Sequence, residues 1–541
     1  MISRTGLHIV LALLVAFGLH SRSSGQSRYL RHFSPYTSEG SAIPPSNNIS
    51  HAAVSGGILW FGTSKGLTRS MDTGKTWTSF RSNPAFANDG IYATDAADSI
   101  VWAATGYDKD MGDGSTVQTG SGYAFSTNGG ATWTHRGQAL DGLHDTLIAY
   151  GINDSLRILP VVVPEQNVTF DISLQGRNVW IASWASGLRR SSDNGATWQR
   201  ILLPSDIQST LSPTDTLWTY APSDTLHLHR IFPRYDPRTS NNYLAFSVLA
   251  EDSLTIWAGT AGGVNKSTDG GKSWQKFSHQ NEANPILGDW VIAIREQDFG
   301  ATHRVWTTNW KANDPDEDYG VSYTDDGGAT WTTLLRGSKT YDFAFLDSIT
   351  YIASDDGIYR TADGGQTFTL FSNITDPVHH QVVSRPSVYT VSVIRNFIDP
   401  LELSGVVIAG TSDGIALSAD GKNYTFGQTW TVTRAYAPLG SQATSYAYPN
   451  PFSPRFEVAR IHYGAGAQTQ GTRSVSIEIY DFGMNRVRTL LHQADRQNSA
   501  EYDEIWDGRT DNGTQASNGV YFYRISIDNN DPLYGKILLL Q

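Results

Sequence analysis

STDGGKSW, residues 267–274, decides the fold, because the chain keeps rewriting it. The same grammar returns as SMDTGKTW from Ser70, STNGGATW from Ser126, SSDNGATW from Ser191, TDDGGATW from Thr324 and TADGGQTF from Thr361, with a worn copy, SADGKNY, from Ser418. The third position of the copies is Asp72, Asn128, Asp193, Asp269, Asp326, Asp363 or Asp420, and the closing ring of the intact ones is Trp77, Trp133, Trp198, Trp274 or Trp331. This is hairpin chemistry. The acid or amide accepts hydrogen bonds from turn N–H groups, glycine supplies the left-handed backbone, and Ser or Thr returns the chain to strand. The closing Trp is expected to pack on the next sheet, where losing the ring would cost about 3–5 kcal/mol.

Outward from each octapeptide the register repeats. A short apolar strand, a break, and a glycine opening a second strand precede it, as in ILWFGTSKGLTRS from Ile58, TIWAGTAGGVNKS from Thr255 and VVIAGTSDGIALS from Val406. A further strand lies upstream, as in NVTFDISLQG from Asn167, and another follows, as in TWQRILLP from Thr197. Four strands per unit and seven units predict an all-β fold, a seven-bladed β-propeller over residues 26–440, in which radial repetition leaves only short, protected edges.

The pattern S-x-D-x-G-x-T-W resembles the Asp-box, or BNR repeat, of sialidases, sortilin-type receptors, photosystem-assembly propellers and two-propeller xyloglucan hydrolases, and the resemblance runs from about Asn47 to Arg434. It implies that the box is an architectural turn on the rim, away from the ligand, so its acids are expected to be structural. A sialidase reading is disfavoured, because the nearest match to that family's arginine motif is RIFP from Arg230, after the third box instead of before the first.

A composition shift near Gln442 ends the repeats. YPNPFSP from Tyr448, SVSIEIYDFGMNRVRTL, WDGRTDNG from Trp506 and SNGVYFYRISI alternate apolar positions with glycine-containing breaks, which predicts a small β-sandwich over residues 446–541. This tail resembles the C-terminal sorting domain of type IX secretion and the immunoglobulin-like domain of flagellar hook-capping proteins, at Tyr448 to Phe452, Tyr480-Asp481, Trp506 to Gly508, Asp511 to Gly513 and Gly519 to Tyr523. It implies a secretion machinery as partner and release or attachment at the cell surface.

The other end agrees. Arg4, an apolar run from Ile9 to Leu19 and the small residues Ser23-Ser24-Gly25 read as a cleaved signal peptide over residues 1–25, the run being short of the 18–20 apolar residues that span a bilayer. An extracellular or outer-membrane-surface location in a bacterium is expected, with no transmembrane segment after cleavage. The 541 residues contain no cysteine, so stability must come from packing without disulfides. A net charge of −12 without basic runs argues against nucleic acid as a partner.

Candidate chemistry falls in the loops opposite the octapeptides. The second unit carries Tyr107, Asp108, Asp110 and Asp113, the fifth carries Trp310, Asp314, Asp316, Glu317 and Asp318, and the third offers Trp184. Longer connections add His144 and the run His229 to Arg234. Aromatic faces stack on sugar rings and carboxylates accept their hydroxyl protons, so these residues are expected to bind a glycan or protein ligand, without a catalytic step. The alternative is a glycoside hydrolase using paired loop carboxylates held about 5–10 Å apart. A second alternative is a sortilin-like or assembly-factor propeller that takes peptides at a blade edge or inside the pore. No cofactor is implied; calcium on Asp108, Asp110 and Asp113 is the alternative, against which their spacing departs from the EF-hand loop. The His379-His380 pair lacks a third metal ligand by spacing. No phosphate-binding glycine loop, HExxH helix or G-x-S-x-G elbow is present.

Overall fold

The computed structural model describes residues 44–87, 89–112, 115–217, 236, 238–312, 314–378, 381–384, 386–395, 404–435, 445–455, 457–465, 471–497, 501–528 and 532–541. Among them, seven antiparallel four-stranded meanders, the fourth with an added fifth strand, follow one another from Ile49 to Thr433. Their first strands are Ile49–Ser55, Gly90–Ala97, Thr169–Gln175, Ala245–Ala250, Trp290–Phe299, Thr340–Leu346 and Val388–Arg395. Each packs against the first strands of both neighbouring sheets, and Val388–Arg395 returns to Ile49–Ser55. The sheets therefore close a ring about a common axis, which is a β-propeller arrangement. Every sheet is sandwiched between two others, so its second strand is apolar on both faces: Val101, Trp102, Ala103 and Ala104 are all buried. Closure is reinforced at Asn47, whose carbonyl accepts from Gly414 N (2.6 Å) and whose Oδ1 accepts from Ala435 N (2.6 Å), tying the start of the ring to its last sheet.

The octapeptides are the third-to-fourth-strand turns. In the first, Ser70 Oγ donates to Asp72 Oδ1 (2.9 Å) and accepts from Gly74 N (2.8 Å), while Asp72 Oδ1 and Oδ2 accept from Thr76 N and Oγ1 at 2.8 and 2.6 Å. The same pattern recurs at Asp193, Asp269, Asp326 and Asp363, and at Asn128, where Oδ1 accepts from Thr132 N (2.9 Å) while Nδ2 donates to Thr132 Oγ1 (2.9 Å). The closing ring packs on the preceding sheet, not the next one as the sequence reading has it. Trp133 lies edge-on to Trp60 (5.9 Å), Trp198 to Trp102 (6.3 Å) and Trp331 to Trp257 (6.4 Å), Trp274 clusters with Trp180, and Trp77 clusters with Ile408, Ile415 and Leu417 of the last sheet. The turn glycine seals the same contact. Gly195 sits at φ +73°, and a Cβ there would fall 2.9 Å from Trp102.

The seventh copy is corrected by the structure. Asp420 does not close a turn: it lies at the end of a strand that runs to Gly421, pairs with Arg360 Nε (2.6 Å) and accepts from Tyr351 Oη. Ser418 Oγ instead accepts from Gly427 N (3.0 Å), nine residues on, and the buried Trp430 ends the turn. The true turn is TFGQTW from Thr425, displaced by an insertion.

Hydrogen bonds from turn hydroxyls and N–H groups hold Asp72, Asp193 and Asp326 at about 2, below the ordinary carboxylate value. As pH falls, the unfolded chain takes up these protons first, so this stabilisation is complete above the ordinary value and is lost as pH drops through about 2. The melting temperature is expected to decline most steeply between pH 4 and 2. A triple variant, Asp72→Asn, Asp193→Asn and Asp326→Asn, copying Asn128, should flatten that decline in a pH series of thermal melts. An unchanged slope would assign acid lability elsewhere.

Residues 445–541 add two further sheets over one core. Ser445–Tyr448, Ala459–Gly464 and Glu501–Trp506 form the first, and Thr472–Tyr480, Arg486–Gln497, Gly519–Ile527 and Leu533–Leu539 the second. Phe452, Ile477, Trp506 and Tyr523 are buried between them. A buried ionic network joins them to the ring. Arg434 Nη2 lies 2.7 Å from Asp413 Oδ2, and its Nη1 is 3.7 Å from Asp503 Oδ2 and donates to Tyr448 Oη (3.1 Å). Tyr448 Oη donates to Asp503 Oδ1 (2.9 Å), which also meets His462 Nδ1 (3.1 Å). Arg460 Nε lies 2.7 Å from Asp413 Oδ1, off the hydrogen-bond axis.

Candidate functional site

The seven first strands share one irregularity. Each is bulged near its start, with register shifts at Ile49/His51, Ile91/Ala93, Thr169/Asp171, Ala245/Ser247, Val291/Ala293, Thr340/Asp342 and Val388/Thr390. The residues skipped are Ser50, Tyr92, Phe170, Phe246, Ile292, Tyr341 and Tyr389. A bulge re-aims one side chain, and here seven of them line one cavity on the ring axis. Since the octapeptides join third to fourth strands, strand alternation puts the start of every first strand at the opposite end of the ring. The cavity mouth therefore faces away from the octapeptides. Five of its seven residues are aromatic, and they touch in sequence: Tyr92 to Phe170 (6.5 Å), Phe170 to Phe246 (5.9 Å), and Tyr341 to Tyr389 (5.4 Å). Phe170, Ile292 and Tyr389 remain half-buried, while Tyr341 is anchored by its Oη donating to Asp355 Oδ1 (2.7 Å).

Below this collar lies a charged floor. Arg295 Nη1 is 3.3 Å from Asp171 Oδ2, and Arg295 Nε is 3.1 Å from Asp342 Oδ1. Asp342 Oδ2 accepts from Thr390 Oγ1 (2.7 Å), and Asp171 accepts from the N–H groups of Ile172 (3.0 Å) and Val248 (3.1 Å). The two acids raise the Arg295 guanidinium further against the pull of burial. His51 faces Asp171 at 3.9 Å through Nε2, while Nδ1 accepts from Thr94 N (3.4 Å); burial pushes its pKa down despite Asp171. Burial also raises Asp95, coupled to the same group, to about 6.

The sequence-predicted residues do not converge. Tyr107, Asp108 and Asp110 lie on the second strand of the second sheet, paired with Thr119, Gln118 and Thr116, so the expected loop is a lengthened hairpin. Asp113, His379, His380, the run 229–234 and residues 1–25 lie outside the described residues. Asp314 and Asp316 shape an exposed turn of the fifth sheet, where Asp314 Oδ1 accepts from Asp316 N (2.9 Å). His144 is exposed. Trp184 and Trp310 are buried and present no face to solvent; they back the collar instead, Trp184 against Phe246 (5.1 Å) and Trp310 against Tyr341 (5.4 Å), with Trp310 Nε1 donating to Thr340 O (2.7 Å). Glu317 is buried, accepting from Ala312 N (2.5 Å), Asp289 N (3.3 Å) and Gln280 Nε2 (3.1 Å). It lines a polar cavity with Asp289 and Lys276, where burial raises both acids and the charge of Asp289 raises Glu317 further. Sequence reasoning missed the collar, whose only trace is a large apolar or aromatic side chain at the second or third position of six of the seven first strands.

No family model matches the chain, and no curated protein does. Among solved structures, the chain is similar to PorZ, described as an essential bacterial surface component of the type-IX secretion system of Porphyromonas gingivalis, at 13% identity over 90% of this chain and 64% of that one, with a TM-score of 0.36. The chain thus spans less than two thirds of the length of PorZ. It is similar to an ancestral GH74 enzyme at 12% identity, over 92% of this chain and 63% of that one, with a TM-score of 0.49. YCF48 bound to D1 peptide matches at 14% identity, over 71% of this chain and 95% of that one, with a TM-score of 0.38. Among the described residues, no helix is long and apolar enough to cross a membrane. The ring of meander sheets is what makes the chain a β-propeller protein.

Proposed function

We propose that this chain is an exported binding protein. A seven-bladed Asp-box propeller over residues 26–440 takes a glycan or protein ligand at its axial cavity, and an immunoglobulin-like tail over 446–541 carries it through secretion to the cell surface or medium, after loss of residues 1–25. The observation that carries this reading is the collar. Seven bulges at equivalent positions place five rings around one opening, on the face free of octapeptide turns, and a concave aromatic site with a few buried polar groups is how small ligands and chain segments are held. Binding to a glycan and peptide array is expected for the full chain, and Tyr389→Ala combined with Phe170→Ala should reduce it by about tenfold or more, with circular dichroism confirming that the double variant is folded at the assay temperature. Retention of every array signal by the double variant would remove the cavity as the site.

A second reading, glycoside hydrolysis, is favoured by one observation. Asp289 and Glu317 are buried side by side in a polar cavity with their protons held above the ordinary carboxylate range. Asp108 and Asp110 belong to the second sheet and Asp314 and Asp316 to the fifth, with two sheets between them in the ring, whereas Glu317 accepts from the N–H of the buried Asp289. Release of reducing sugar from a polysaccharide panel, abolished by Glu317→Gln, would support this reading; no release from any substrate would end it.

A further inference from the structure

Resting on the cavity as the binding site, we infer that the group it takes is a cation on an apolar stem, the class of a protonated alkyl amine or a lysine side chain. The floor holds one guanidinium between two carboxylates, Asp171 and Asp342, which leaves one negative charge in excess. His51 does not cancel it: Nδ1 accepts the Thr94 N–H, so the ring is the neutral tautomer with its proton on Nε2 toward Asp171. Asp95, held by the N–H groups of Leu174 and Ala96 at 2.8 Å each, lies behind this floor and does not line the cavity. Among the described residues lining this cavity, Arg295 is the one permanently charged cation.

Both layers therefore select in the same direction. An entering ammonium passes the negative faces of the collar rings, which attract a cation within about 6 Å, and then meets the uncompensated carboxylate charge. Its methylene stem lies against the collar, whose walls are almost wholly apolar. An entering carboxylate of the same length reaches Arg295 only between Asp171 and Asp342. In an enclosed site that repulsion is poorly screened.

Three probes of equal stem length separate the possibilities on the full chain: hexylamine, hexanol and hexanoate, titrated calorimetrically at neutral pH. Hexylamine is expected to bind about tenfold tighter than hexanol, and hexanoate weakest. Asp342→Asn should lose about tenfold for the amine and little for the alcohol, whereas Tyr389→Leu should weaken both, circular dichroism confirming that each variant is folded. The wild-type series alone already decides the matter if a variant fails to fold. Hexanoate binding as tightly as hexylamine would overturn the cation assignment; if Tyr389→Leu weakened all three probes equally, the binding site itself would stand. Binding of none of the three, together with array signals indifferent to the collar, would remove both.

Discussion

Replacing Arg434 by alanine is expected to cost about 3–5 kcal/mol and to free residues 445–541 for proteolysis. Arg434 is fully buried, and among the described residues its guanidinium is the one charge that touches both Asp413 of the ring's last sheet and Asp503 of the tail. Taking it away leaves two acids without their shared cation, one of them, Asp413, already pushed up by burial. The penalty is the cost of stranded charge, not the net value of the bridge, and that separates this variant from a surface ion-pair deletion, where about 0–1 kcal/mol is usual. Denaturant melts followed by limited proteolysis test it. A loss under 1 kcal/mol with an uncut tail would mean that apolar contacts join the two parts.

The second large effect lies between blades. Trp102→Ala is expected to lose about 3–5 kcal/mol. The ring is fully buried, stacks on Phe125 at 4.7 Å within its own sheet, and meets Trp198 and Gly195 of the following one. Removing it opens a cavity that two sheets cannot collapse into, since both are held by neighbours on their other faces. Gly195→Ala attacks the same contact from the other side, by the Cβ approach and the positive φ, so the two substitutions together should cost less than their sum. A urea series on both single variants and the double variant measures this coupling. Full additivity would show that turn glycine and tryptophan act independently.

Particular residues show how far the sequence was readable. SSDNGATW spells its own hairpin, because every hydrogen bond that closes it runs between residues at most four apart. SADGKNY misled for the converse reason. Asp420 stands at the expected spacing, but its partners Arg360 and Tyr351 are 60 and 69 residues away, and nothing local marks the insertion before Gly427. Trp184 and Trp310 have the composition of stacking faces; whether a ring is bare or covered depends on Phe246 and Tyr341, which other sheets bring. Tyr448 opens the segment that carries the tail's resemblance, and only the packing of tail on ring places its hydroxyl between Arg434 and Asp503.

The sequence by itself determined the repeat, the strand order within each unit and the β-rich tail, since these follow from side-chain period and turn chemistry over a few residues. Which face of each sheet meets which neighbour, and the axial site built from one residue of each of seven strands, were decided by ring closure. Residues such as Tyr92 and Tyr389 are nearly 300 positions apart and acquire a common purpose only when the last sheet returns to the first.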